Sequence, residues 1–289
     1  MSRRSIIERE RRWAPWAAAG AVLPLLLFFA AVFAQPRAAV SGDLLTETLR
    51  VVNENKDAVV LSSVLGSVGI MLTALPLVYL FRAAQARAPQ VNSMLIGFCV
   101  LGPLLYGVKG ILLALAQVDV AEQFAAQENS VGDIYTLSEN LLEQSGLYTA
   151  AGGIELAGIL GLLFAMVYTP LWAMRTGLLT RFHATLGMAL GVVLILGPIG
   201  RIALPGLMIW FLFLGLIILN RAPGRNRPPA WDAGEAIPWP RPGEEPVDPA
   251  AELGDDVIEG DASEIPGVGE NPNAARRERA KRRKRKRRR

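Results

Sequence analysis

The sequence predicts an all-α integral membrane protein: a six-helix transmembrane bundle with short outer amphipathic helices and a disordered C-terminal tail. Three observations carry this. Of 289 residues, 52% are hydrophobic and only 19% charged, and the mean hydropathy is +0.32. The apolar residues fall in unbroken blocks of about twenty, the length that crosses a hydrocarbon core at about 1.5 Å per residue. The basic residues between the blocks are unevenly shared between alternate connections. Together these exclude an ordinary soluble globular domain.

Residues 1–12 form a basic N-terminal segment carrying Arg3, Arg4, Arg9, Arg11 and Arg12. The predicted spans are 13–34, 58–81, 91–117, 146–174, 182–200 and 202–220, together a transmembrane domain over 13–220. The first two are free of charge, the third contains only Lys109 and the fourth only Glu155. The last two are charge-free if His183 is neutral, and only Gly197-Pro198-Ile199-Gly200-Arg201 separates them, so a tight hairpin is expected. Lipid offers backbone N–H and C=O groups no partners, so every span must be helical.

Orientation follows from the basic residues. Segments 1–12, 82–90, 175–181 and 221–289 hold 25 Arg and Lys, and the alternate connections hold four. Both termini are therefore expected in the cytoplasm of a multi-pass protein of the cell membrane. Twenty-five Arg against five Lys, with abundant Ala, Gly and Pro, suggest a GC-rich bacterial coding sequence. A second reading concerns the N-terminus. Basic residues, an apolar stretch and Val32-Phe33-Ala34 also resemble a cleavable secretory signal, whose removal would leave five spans.

The two large outer connections share a pattern. Asp43-Leu44-Leu45-Thr46-Glu47-Thr48-Leu49 aligns with Asp133-Ile134-Tyr135-Thr136-Leu137-Ser138-Glu139, and each precedes its next span by a similar distance. Leu45, Leu49 and Val52 recur at helical spacing opposite Glu47 and Glu54, which predicts amphipathic caps. Span, outer helix, span and basic turn would then occur twice, either as a tandem repeat or as the generic likeness of any two membrane hairpins.

Lys109 and Glu155 are the only charges within the spans. Lys109 lies eight residues before the end of its block, about 12 Å deep, and Glu155 nine residues into the next, about 13 Å deep. The two helices are consecutive and antiparallel, so opposite charges fall at matching depth. A lone mid-bilayer charge costs about 2.5–3.5 kcal/mol, which calls for a partner or a wet cavity. The pair reads as a structural register pin, as a transport or proton-relay site, or as a lysine that snorkels outward. Small residues at four-residue spacing (Gly153, Ala157 and Gly161; Gly187 and Gly191) suit close helix packing, within the chain or in a homo-oligomer.

After Asn220 the composition changes. Only seven of residues 222–289 are Leu, Ile, Val or Phe, too few to offset ordering entropy. Charge is segregated: 232–270 carries twelve acids and one base, whereas 276–289 carries twelve bases and one acid. The bases are Arg276, Arg277, Arg279, Lys281, Arg282, Arg283, Lys284, Arg285, Lys286, Arg287, Arg288 and Arg289. This run would attract the anionic inner leaflet, nucleic acid by counterion release, or the acidic stretch before it. With no aromatic residue interleaved, base stacking is not expected. Trp231 and Trp239, in an otherwise polar linker, suit the membrane interface or a short docking motif.

Among the familiar catalytic and metal-binding patterns, none occurs. A single Cys (Cys99) excludes an internal disulfide framework, and a single His excludes multi-histidine metal sites. No enzyme activity and no cofactor are expected. The leading expectation is an accessory or scaffold membrane protein whose basic tail gathers anionic partners. The alternative is a small transporter or membrane sensor built on Lys109 and Glu155.

Overall fold

The computed structural model describes residues 3–36, 44–196, 198–222 and 227–239. The acidic stretch beyond Trp239 and the basic run 276–289 lie outside these residues. Every regular element among them is helical: α1 (Arg3–Ala34), α2 (Leu44–Glu54), α3 (Lys56–Leu72), α4 (Ala74–Arg87), α5 (Ile96–Gln127), α6 (Ile134–Gln144), α7 (Gly146–Arg175), α8 (Arg181–Val193), α9 (Pro198–Ile218) and the single turn α10 (Ala230–Ala233). Four helical stretches are long and apolar enough to cross a membrane: Arg3–Ala34, Lys56–Arg87, Ser93–Ser130 and Gly146–Arg175.

Two helices outrun their apolar blocks. The basic segment before Trp13 is the first part of α1, because Ile6 and Glu10 find buried positions against the bundle. Likewise α5 continues ten residues beyond Gln117, the boundary hydropathy suggests. Val120, Ala121 and Phe124 are fully buried there with Leu49 and Val52 of α2 and Leu141 of α6. Lys56 and Arg50 meet Glu122 (2.7 Å) and Glu128 (3.1 Å) on the solvent side. An apolar stripe with charges opposite is a helix regardless of mean hydropathy. The element series repeats: a 32-residue helix, an 11-residue helix and a stretch of 32 residues, then lengths of 32, 11 and 30.

Among the described residues the helices form a closed ring in which α1 packs on α3, α3 on α5, α5 on α7, α7 on α8, α8 on α9 and α9 on α1. Inside it, α4 touches α1, α5, α7 and α9. The inward turn begins at Thr73. Pro76 has no N–H to give the Leu72 carbonyl, so the helical ladder breaks there. Thr73 turns its hydroxyl onto the Ile70 carbonyl at 2.6 Å. Below the break, Leu77, Leu80, Phe81, Ala83 and Ala84 are all at most 1% exposed. The core therefore surrounds α4 at the end of the bundle that carries the arginines, opposite the end capped by α2 and α6.

Candidate functional site

Lys109 and Glu155 meet in the seam between α5 and α7. Lys109 Nζ donates to Glu155 Oε1 at 2.7 Å and lies 5.2 Å from the centre of the Tyr106 ring. The lysine side chain is 9% exposed and the carboxylate side chain 33%. The neighbouring seam is backbone against backbone. A Cβ placed on Gly102 would lie 2.5 Å from the Leu162 nitrogen, and one on Gly158 would lie 2.7 Å from the Tyr106 nitrogen. Glycine is required at this crossing because any side chain would force the helices apart. The ion pair sits one turn away at the edge of this close contact, with the carboxylate the more exposed of the two partners. Its geometry suits holding the register of two helices.

The small-residue spacings divide differently from their sequence pattern. Gly161 packs on Gly102, Gly187 on the Trp210 indole and Gly191 on Met166 Cβ. Gly153 faces open space and Ala157 is exposed. On α7 the crossing is made by Gly158 and Gly161, so that of the Gly153–Ala157–Gly161 series only Gly161 takes part. His183 is buried at 8% exposure and stacks on Trp210 at 4.8 Å between ring centres.

Among the described residues, the most elaborate polar arrangement lies at the basic end of the bundle. The Arg87 side chain is fully enclosed, and all five of its N–H donors are used. Nη1 and Nη2 clamp the two oxygens of Glu10, the second at 3.0 Å. Nη1 also donates to the Ala83 carbonyl at 2.9 Å. Nε and Nη2 donate to the Ala230 carbonyl at 3.0 and 2.9 Å. Three separate chain segments, α1, α4 and the stretch after α9, thus converge on one guanidinium, whose planar fork suits bidentate pairing with a carboxylate.

The segment held there is 227–239. Trp231 is 1% exposed and stacks on Tyr79 at 5.8 Å, and its indole N–H donates to the Leu178 carbonyl at 2.9 Å. The guanidinium carbons of Arg87 and Arg227 lie 5.6 and 4.4 Å from the Trp231 ring centre. Trp239 donates to the Leu179 carbonyl at 2.8 Å, and the Ile237 amide donates to the Thr176 carbonyl at 3.2 Å. Gly177, at φ +76, makes room for this: a Cβ on it would fall 1.9 Å from the Ile237 oxygen. Arg3 pairs with Glu235 at the rim.

Composition predicts disorder from Ala222 onward, yet residues 227–239 are ordered against the bundle. The reason is their two tryptophans, each with an apolar body and one N–H, for which the 176–179 turn supplies both a pocket and free carbonyls. Their presence in a polar linker was the available signal. Nothing in the spacing of Glu10 and Arg87, 77 positions apart, announced their pairing.

Among the described residues, no group of three or more His, Cys, Asp and Glu is placed to hold a metal ion. Compared with protein-family models, with curated proteins and with solved structures, the chain finds no match in any of the three.

Proposed function

We propose that the protein is a six-span accessory or scaffold protein of the bacterial cell membrane, both termini cytoplasmic, whose basic run 276–289 gathers anionic partners at the inner face. The observation that carries this is the Arg87–Glu10–Ala230 node. Ordering a residue costs about 1–2 kcal/mol of backbone entropy, and here a whole segment outside the spans is ordered against the bundle, on Arg87 and on the 176–179 turn that receives its two tryptophans. A bundle that merely trailed its tail would have no need of such an attachment. The described part of this segment, through Trp239, is therefore fixed at a defined place at the basic end of the bundle.

Six crossings are supported by the closed ring, in which α8 and α9 fill the gap between α7 and α1. At 1.5 Å per residue, α9 covers about 32 Å, and α8 with its turn through Leu196 about 24 Å. The fifth crossing, through α8, is thus short, which local thinning of the bilayer accommodates. The transport reading of Lys109 and Glu155 receives less support, because the glycine seam beside them leaves no room for a solute.

The decisive experiment compares two sets of variants in the full chain. Replacing the twelve bases of 276–289 by Ser or Gln should abolish recruitment of anionic vesicles while leaving the melting temperature unchanged. Loss of function in Glu155→Gln with Lys109→Met instead, with recruitment and the melting temperature intact, would replace the scaffold reading with the transport one. Recruitment of RNA in preference to vesicles would assign the tail to nucleic acid.

A further inference from the structure

The break at Thr73 has a second effect. Above it α3 stands between α1 and α5, and below it α4 turns into the bundle, so at the basic end α1 and α5 are left apart with α4 as the floor between them. The result is a groove of about 540 Å³ open to the side of the bundle. Its walls and floor are apolar, from Val68 and Met71 through Leu75 and Val78, with Leu104 across from them. From Val68 on α3 to Val78 on α4 is ten residues, a path of about 15 Å over the two helices, comparable with half of a hydrocarbon core about 30 Å thick. The groove therefore has a length comparable with one leaflet.

Its mouth has different chemistry. Arg9 of α1 and Arg82 of α4 line it, and Arg82 is exposed. Glu10, which also lines it, is neutralised by Arg87. Trp13 and Trp16 stand beside the arginines at 56% and 66% exposure, at the level where indole rings favour the boundary between headgroups and acyl chains.

We infer that this groove binds one diacyl anionic phospholipid of the basic-end leaflet, with an acyl chain on the α4 floor and its phosphate between Arg9 and Arg82. Charge and shape select it together. A chain the length of one leaflet fills the apolar part, and two guanidiniums at its upper end suit a phosphate by forked hydrogen bonds. The site is independent of the C-terminal tail and of the scaffold reading.

The test uses the full chain, purified in detergent, stripped of lipid and titrated with phosphatidylglycerol or with phosphatidylcholine of the same acyl chains. Native mass spectrometry should show one phosphatidylglycerol retained in preference to phosphatidylcholine. Arg9→Gln and Arg82→Gln should each weaken retention about fivefold, from about 1 kcal/mol per basic residue beside an anionic lipid. Leu104→Trp, at an exposed position on the groove wall, should block it. Phosphatidylglycerol with brominated chains should quench fluorescence in the parent and quench it less in a Trp13→Phe/Trp16→Phe variant. Retention that persists in the arginine and Leu104→Trp variants would place the lipid outside the groove and overturn the assignment. Equal retention of phosphatidylcholine, or quenching that does not depend on Trp13 and Trp16, would do the same.

Discussion

Trp231→Ala is the most informative single perturbation of this chain. The indole is 1% exposed, and a buried aromatic of this size removes about 200 Å² from solvent, worth about 5 kcal/mol at about 25 cal/mol per Å². Its N–H bond to the Leu178 carbonyl adds about 1 kcal/mol. Each of the two flanking guanidiniums adds about 0.5–1 kcal/mol. Relaxation of the pocket and the side-chain entropy regained offset part of this, leaving a net cost of about 3–5 kcal/mol, as for other buried Trp truncations.

That energy acts on one equilibrium, the docking of 227–239 on the bundle. At 1.4 kcal/mol per factor of ten, opening should become at least about a hundredfold more frequent. Hydrogen exchange of the Ile237 amide, whose acceptor is the Thr176 carbonyl of the 176–179 turn, reports it directly. Amides of α5 and α7 serve as internal controls and should not change. Exchange at Ile237 within twofold of the parent would refute the reasoning, because the indole would then not be what holds the segment.

Three further outcomes are expected. Glu155→Gln strands the buried Lys109 ammonium and should lower stability by about 1–3 kcal/mol, and Glu155→Gln with Lys109→Met should recover most of it in a thermal melt. Gly102→Ala should cost about 1–3 kcal/mol, since its methyl meets backbone, whereas Gly152→Ala, facing open space, should gain about 0.5–1 kcal/mol of helix propensity. Asp133 caps α6 by accepting from the Thr136 hydroxyl (2.7 Å) and from the amides of Thr136 and Tyr135, which holds its carboxyl below the usual range. A lowered carboxylate stabilises α6 above its unfolded value, about 3.9, and that contribution fades as pH falls through the lower folded value. Exchange of the α6 amides, corrected for intrinsic rates, should rise over that window and should already be high in Asp133→Ala.

What the sequence by itself determined are properties of single helices: the apolar blocks, the amphipathic stretches beginning at Leu44 and Ile134, and the matching positions of Lys109 and Glu155 along two consecutive helices. These follow from side-chain transfer energies and a fixed rise per residue, and they need no knowledge of neighbours. The match does not depend on where α5 ends, at Gln127 rather than at the apolar boundary Gln117, because it follows from the rise per residue along each helix. Other features exist only once helices meet. The apolar stripe of residues 118–127 is paired with α2 and α6, the glycines at 102 and 158 matter because the opposing backbone is there, and α4 turns inward because Pro76 frees a carbonyl inside a ring of helices. The pairing of Glu10 with Arg87, and the docking of Trp231 beside them, are decided by tertiary structure for the same reason. A buried charge or an ordered linker is stable only where distant segments supply its partners, and those partners are separated along the chain by distances that carry no local signal.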